Sequence, residues 1–206
     1  MAAAYEFWDK MAARYAAQPI ADESAYQRKL RETRARLRPD MELLELGCGT
    51  GSTALVHAPH VRHIRAVDFS EAMISIARAK ADAAGISNVD FEQAAVEGLP
   101  LAPASLDMVL ALSLLHLLRN KRAVIAEVFR ALRPGGLFVT STTCLRETMP
   151  LLGWVAPLTN RFGLIPYLDP MTSAELVAAL TDAGFIIEHR WQPSRKAALF
   201  VIARKP

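Results

Sequence analysis

The stretch MELLELGCGTG (Met41 to Gly51), followed after a short interval by HIRAVDFS (His63 to Ser70), decides how this chain is read. The first is an apolar run that ends in the alternating glycines Gly47, Gly49 and Gly51. The second is a strand-like run closed by Asp68, with Ser70 placed to cap a helix. A strand that feeds a glycine loop, with a carboxylate at the end of the next strand, is how doubly wound α/β proteins hold a nucleotide beyond the carboxyl ends of their strands. Glycine there admits a tight turn and lets a ligand approach bare backbone that Cβ atoms would obstruct.

Working outward, strands alternate with helices. A helix is predicted from Glu71 to about Ala84, stopped by Gly85. VDFEQ (Val89 to Gln93) reads as the third strand, and LDMVLAL (Leu106 to Leu112) as a strand covered on both faces. A helix from about Arg122 to Leu132 stops at the breaker cluster Arg133-Pro134-Gly135-Gly136, which hands the chain to the strand LFVTST (Leu137 to Thr142). Thr172 with Glu175 forms a capping box for a helix that Gly184 ends. FIIEHRW (Phe185 to Trp191) and AALFVIA (Ala197 to Ala203) close the chain as two β-rich runs. The expected fold is a Rossmann-like, doubly wound, mostly parallel seven-stranded sheet in a single α/β domain, with a C-terminal antiparallel hairpin strand. Residues 1–38 are expected to be an N-terminal helical lid, residues 39–206 the cofactor-binding domain, and residues 146–170 an apolar lid insertion.

With 206 residues, 52% of them hydrophobic and 22% charged, the chain is neither a disordered tail nor a small disulfide scaffold. A domain of this size buries about 70% of its unfolded surface, so it needs no metal or disulfide staple. Cys48 and Cys144 lack a CxxC or a nearby His/Cys cluster, and reduced thiols with no metal site are expected. The N-terminus lacks the features of a secretion signal, which points to the cytoplasm. Positive charge is concentrated in RKLRETRARLR (Arg28 to Arg38), six cations against Glu32. On a helix Tyr26, Leu30, Thr33 and Leu37 make one apolar stripe and the cations cover the other faces, as on a solvated helix rather than a nucleic-acid patch.

Two nucleotide classes are disfavoured. The loop reads G-C-G-T-G-S, with Ser52 where the dinucleotide fingerprint has its third glycine, and the lysine of a phosphate-binding loop is absent. LELGCGTG with VDFS instead resembles the class I S-adenosylmethionine-dependent methyltransferases, and within them the small-molecule branch that includes the ubiquinone/menaquinone-type enzymes. The similarity spans roughly residues 40 to 144 and extends loosely to FWDKMAARY (Phe7 to Tyr15), which resembles the family's N-terminal lid helix.

The resemblance implies S-adenosylmethionine as cofactor and S-adenosylhomocysteine as product. It assigns Glu45 to the glycine loop and the cofactor's amino group, and Gly47, Cys48, Gly49, Thr50 and Gly51 to the loop around the methionine part. It assigns Asp68 to the ribose, and Phe69 and Met73 to the adenine. QAAVEGLP (Gln93 to Pro100) resembles a family segment whose acidic residue contacts the adenine amino group; here that position is Ala95, which leaves the Val96 N–H to serve. Ser113 would lie near the methionyl part and His116 close to the transferred methyl, as general base. Bland readings stand beside these: Met73 as core, Cys48 as filler, and His116 as a buried histidine among leucines.

The segment MPLLGWVAPLTNRFGLIPYL (Met149 to Leu168) approaches the length of a membrane span, but Pro150, Pro157, Pro166, Asn160 and Arg161 interrupt it. In the resembling family this region covers the acceptor pocket. Trp154, Phe162, Leu164 and Tyr167 would line an apolar cavity closed by Trp8 and Tyr15. A small lipophilic or aromatic acceptor is the expectation; a lid packed on the core or on a second copy in a homodimer is the other reading. The competing functions are an RNA or protein methyltransferase and a non-catalytic S-adenosylmethionine-binding module, with a nicotinamide-dependent oxidoreductase a distant fourth. Against the first, the chain has no D/N-P-P-Y/F motif and no Pro-Cys nucleophile.

Overall fold

The structure, a computed structural model, describes residues 2–152, 156 and 167–206. The chain divides into two compact units, residues 5–99 and residues 100–206 with 1–4.

The first unit holds helix α1 (Ala2–Ala17, from Tyr5 onward), α2 (Glu23–Arg34), strand β1 (Glu42–Leu46), α3 (Ser52–His57), β2 (His63–Asp68), α4 (Glu71–Ala84) and β3 (Val89–Gln93). Helix α2 starts where the Asp22 carboxylate accepts the Ala25 N–H at 2.9 Å. Its Leu30 and Thr33 are buried, but the helix ends at Arg34, so Leu37 lies beyond the expected stripe. The cations of this region are spread out: Arg31, Arg34 and Arg38 are exposed, Arg36 pairs with Glu32 and Arg38 with Asp40. Four consecutive buried residues, Leu43 to Leu46, mark β1 as covered on both faces. It runs parallel to β2, with Glu45 opposite Ala66, and β2 runs parallel to β3, with Asp68 opposite Gln93. Ser70 caps α4 by accepting the Met73 N–H, and Gly85 ends it in the left-handed region at φ +65°.

The second unit holds β4 (Leu106–Leu112), α5 (Lys121–Ala131), β5 (Leu132–Thr142), α6 (Leu145–Thr148), α7 (Ser173–Asp182), β6 (Ile186–Trp191) and β7 (Leu199–Arg204). β4 and β5 are parallel, β7 is antiparallel to both β5 and β6, and β6 alternates exposed and half-buried residues. The capping box on α7 is formed in both directions between Thr172 and Glu175.

One expectation is corrected here. Arg133 to Gly136 are not a turn ahead of the strand but part of β5, which pairs Leu132 with Leu106 before an irregularity and Leu137 with Met108 after it. The Gly135 N–H reaches the Lys205 carbonyl and the Lys205 N–H the Gly136 carbonyl, both at 2.9 Å, so a bulge keeps these residues in register. The strands run β3-β2-β1 in the first unit and β4-β5-β7-β6 in the second, seven in all and mostly parallel with an antiparallel C-terminal pair, as the sequence implied.

Candidate functional site

In the first unit, β1 ends in Gly47, Gly49 and Gly51 at φ +66°, +54° and +74°. At Gly51 glycine is required twice over. A Cβ there would lie 2.7 Å from the Phe91 ring and 2.8 Å from the Ala77 Cβ, in a backbone region that L side chains avoid. The loop is held from three sides. Asp68 accepts the Gly49 N–H at 2.9 Å through one oxygen and the Ser70 N–H at 3.0 Å through the other. Lys80, from α4, donates to the Thr50 carbonyl (3.1 Å), the Thr50 hydroxyl (3.0 Å) and the Ser52 hydroxyl (3.1 Å). Glu45 accepts the Ala54 N–H in the first turn of α3.

The floor of the loop is acidic. Glu45 is 3% exposed and its Oε2 is buried with no hydrogen-bond partner among the described residues. Burial, opposed by the Ala54 N–H, together with the Asp68 charge pushes Glu45 up to about 8. Burial also raises Asp68, against the pull of the Ser70, Gly49 and Phe69 N–H groups and with a further push from Asp9. Every charged influence on these two carboxyls is another carboxylate, so the pair favours a cationic or hydrogen-donating guest. Cys48 is buried and its thiol is pushed up by burial, then by Glu45 and Asp68, so it fills space and is no nucleophile at neutral pH.

Helix α1 packs beside this loop. The Asp9 carboxylate accepts the Ser70 hydroxyl at 2.5 Å and the Ala72 N–H at 3.3 Å, and the Gln93 amide donates to the Tyr5 hydroxyl at 2.9 Å and the Phe69 carbonyl at 3.2 Å. The Tyr15 ring lies 3.9 Å from where a Cβ on Gly49 would stand. Burial and the charges of Asp68 and Glu45 raise the Tyr15 phenol. Phe7, Trp8 and Tyr15 form an edge-to-face row with centroids 5.4 and 6.3 Å apart; Phe7 and Tyr15 are exposed and Trp8 is half-buried. Phe69 is half-buried with its ring 6.3 Å from Tyr5, Ala95 is exposed and Val96 half-buried. Met73 is 3% exposed, which suits its core reading.

In the second unit, Ser113 follows β4 in the left-handed region at φ +58°, its N–H bonded to the Ser141 carbonyl at 2.7 Å. A non-glycine residue there marks a constrained bend, and His116 sits in the short 3-10 turn just beyond it. His116 is half-buried, its Nδ1 is buried without a partner, and burial lowers it to about 4 against the opposing charge of Asp169. Tyr167 is half-buried under the Arg119 guanidinium, whereas Trp154, Phe162 and Leu164 lie outside the described residues. Asp9, Gln93, Lys80 and Asp169 went unnoticed in the sequence. Only Lys80 left a trace there, falling on the α4 face that also carries Met73 and Ala77. Among the described residues no group of His, Cys, Asp and Glu could hold a metal ion, and no helix is long and apolar enough to cross a membrane.

A mostly parallel α/β sheet whose first strand ends in a glycine loop over buried acids defines a nucleotide-cofactor protein of the doubly wound class. Residues 43–136 match the family model described as a methyltransferase domain. A relative from Mycolicibacterium smegmatis, named as a probable S-adenosylmethionine-dependent methyltransferase, is 33% identical over 71% of this chain and 52% of its own length. The ubiquinone/menaquinone biosynthesis C-methyltransferase UbiE of Rubrivivax gelatinosus is 33% identical over 61% of this chain and 47% of its own length. The crystal structure of an S-adenosylmethionine-dependent methyltransferase from Mesorhizobium loti superposes with a TM-score of 0.73 at 23% identity, covering 89% of this chain and 99% of that one. Residues 43–136 thus carry a methyltransferase domain, and these similarities support a class I S-adenosylmethionine-dependent methyltransferase, a family whose cofactor is S-adenosylmethionine. It spans about half the length of the curated relatives it matches. The donor set fits that cofactor: an unpartnered buried carboxyl oxygen for a cation, a second carboxylate for hydroxyls, and glycine backbone between them.

Proposed function

We propose that this chain transfers the sulfonium methyl of S-adenosylmethionine to a small lipophilic or aromatic acceptor. The observation that carries the reading is the unpartnered Glu45 Oε2 buried beneath the glycine loop. A cofactor bearing an ammonium and a sulfonium supplies the positive charge that Glu45 and Asp68 lack. In this reading Glu45 and the loop from Gly47 to Gly51 hold the methionyl end. Asp68 takes the ribose hydroxyls, and Phe69, Met73, Ala95 and the Val96 N–H border the adenine.

The bound cofactor brings an already activated methyl group, so the protein's tasks are to position the acceptor and exclude water. The row Phe7, Trp8 and Tyr15 on α1 gives an apolar face suited to a ring. A relative named for ubiquinone/menaquinone biosynthesis supports a lipophilic acceptor of this kind. His116, lowered to about 4, is neutral at physiological pH and can accept the proton that an acceptor hydroxyl sheds as its oxygen gains the methyl.

The test is calorimetric titration with S-adenosylhomocysteine, with NAD as control and Asp68→Ala as the matched variant, followed by a panel of phenols, quinol precursors and thiols scored for methyl transfer. Micromolar binding that Asp68→Ala loses, with turnover on the apolar acceptors, supports the reading. Tight binding without turnover across the panel favours a binding module, and NAD binding that S-adenosylhomocysteine does not displace overturns the cofactor assignment.

A further inference from the structure

In the second unit the segment that returns after the apolar insertion is clasped to the turn that carries His116. Resting on the reading of His116 above, we propose that Lys121 and Asp169 are positioning residues that fasten the turn carrying His116 and set its ring in place for methyl transfer. Three contacts make the clasp. The Asp169 N–H donates to the His116 carbonyl at 2.8 Å. The Asp169 carboxylate is bound by the Lys121 ammonium at the first residue of α5. Two residues earlier on each side, the Arg119 guanidinium covers the Tyr167 ring at 4.6 Å from its centroid.

The arrangement is more than a surface ion pair. The Lys121 and Asp169 side chains are 19% and 11% exposed, so neither is well solvated, and removing one partner strands the other charge. Asp169 acts through two groups at once: its N–H fixes the carbonyl of the 3-10 turn, and its carboxylate, fixed by Lys121, places a negative charge near the ring. Among the described residues none hydrogen-bonds the buried Nδ1 of His116, so the clasp on its main-chain carbonyl is what fastens this residue. Among the described residues, the charged and titratable groups that these contacts bring to the turn are Asp169 and Tyr167 from the returning segment, Lys121 from α5 and Arg119 from the loop before it. Of these, Asp169 is the one that raises His116 against burial.

The signs follow. Asp169→Asn keeps the N–H bond and removes the charge, so His116 falls further. Lys121→Met removes the counterion, so the Asp169 charge acts unshielded and His116 rises. Lys121→Arg restores the starting value.

Histidine carbon-proton NMR on the ligand-free chain reads these titrations without any acceptor, with His116→Gln assigning the signal and circular dichroism reporting the fold. Shifts of opposite sign in Asp169→Asn and Lys121→Met, with the acid limb of kcat on the best acceptor of the panel moving in step, support the proposal. Absent or same-sign shifts in folded variants overturn it. If the shifts appear but His116→Gln turns over at the wild-type rate, the reading of His116 as base falls, and the catalytic half of this proposal with it. The NMR result alone tells the two failures apart.

Discussion

Cofactor binding should be linked to a proton on Glu45. In the ligand-free chain this carboxyl is pushed up to about 8, so at neutral pH it is mostly protonated. A cationic guest favours the carboxylate, and the proton must leave on binding. For a group at about 8 that is ionised in the complex, affinity for S-adenosylhomocysteine rises about tenfold per pH unit below that point and levels off above it. Between pH 6 and the plateau the gain is about 100-fold, or about 2.7 kcal/mol. Asp68, raised by burial, adds in the same direction. The linkage also acts on the free protein. Glu45 is raised above its ordinary 4.5, so its contribution to stability is fully present below that pH and is lost as pH climbs to about 8. Titration calorimetry at pH 6, 7, 8 and 9 in buffers of differing ionisation enthalpy counts the protons directly, and about 0.9 proton should leave per site at pH 7. Glu45→Gln should bind more weakly at high pH and flatten the profile. A wild-type affinity that does not change between pH 6 and 9, with no proton released, would refute the reasoning.

Two glycines separate the cost of backbone strain from that of crowding. Gly51→Ala meets both a left-handed φ and atoms at 2.7 to 2.8 Å, and should lose about 2–4 kcal/mol by thermal or urea unfolding. Gly85→Ala has the same kind of φ with nothing within 4 Å, and should lose only about 1 kcal/mol; equal losses would mean that Phe91 and Ala77 yield to the added methyl. Lys80→Met removes the cation that binds Thr50 and Ser52, and should weaken S-adenosylhomocysteine by about tenfold while Lys80→Arg keeps part of it. Unchanged affinity in a folded Lys80→Met protein would show that the loop holds its shape without α4.

What could be read from the chain was what local chemistry decides. The buried runs of β1 and β4, the Ser70 cap, the Gly85 stop and the Thr172–Glu175 box each sit within a few residues of their own cause. What could not be read depends on partners far along the chain. α3 is six residues long, too short for a helical period to show, and it is steadied by Glu45 from the preceding strand. Gly135 and Gly136 look like a turn, and only the pairing with Lys205 makes them a bulge within β5. The loop could be identified as a cofactor loop from its glycines and Asp68. Its fastening by Lys80 and Asp9 could not, because a lysine or aspartate on an amphipathic helix looks the same whether it meets solvent or a carbonyl.

The same acid pair explains why the site is built this way. Burial raises both carboxyls, Asp68 pushes Glu45 up further and Asp9 pushes Asp68, so the pair costs the ligand-free fold stability, an arrangement that hydrophobic residues of similar size would avoid. Backbone N–H groups from Gly49, Ser70 and Ala54 offset part of that cost and aim the oxygens, leaving one Glu45 oxygen without a partner. A guest that brings positive charge recovers what the fold gave up, whereas a guest without charge does not. In the proposed reaction the sulfonium becomes a neutral thioether, which leaves the site one positive charge fewer to hold. An acidic floor of this kind therefore favours the charged cofactor over its product, and exchange of product for fresh cofactor is driven by the same carboxyls that bind it.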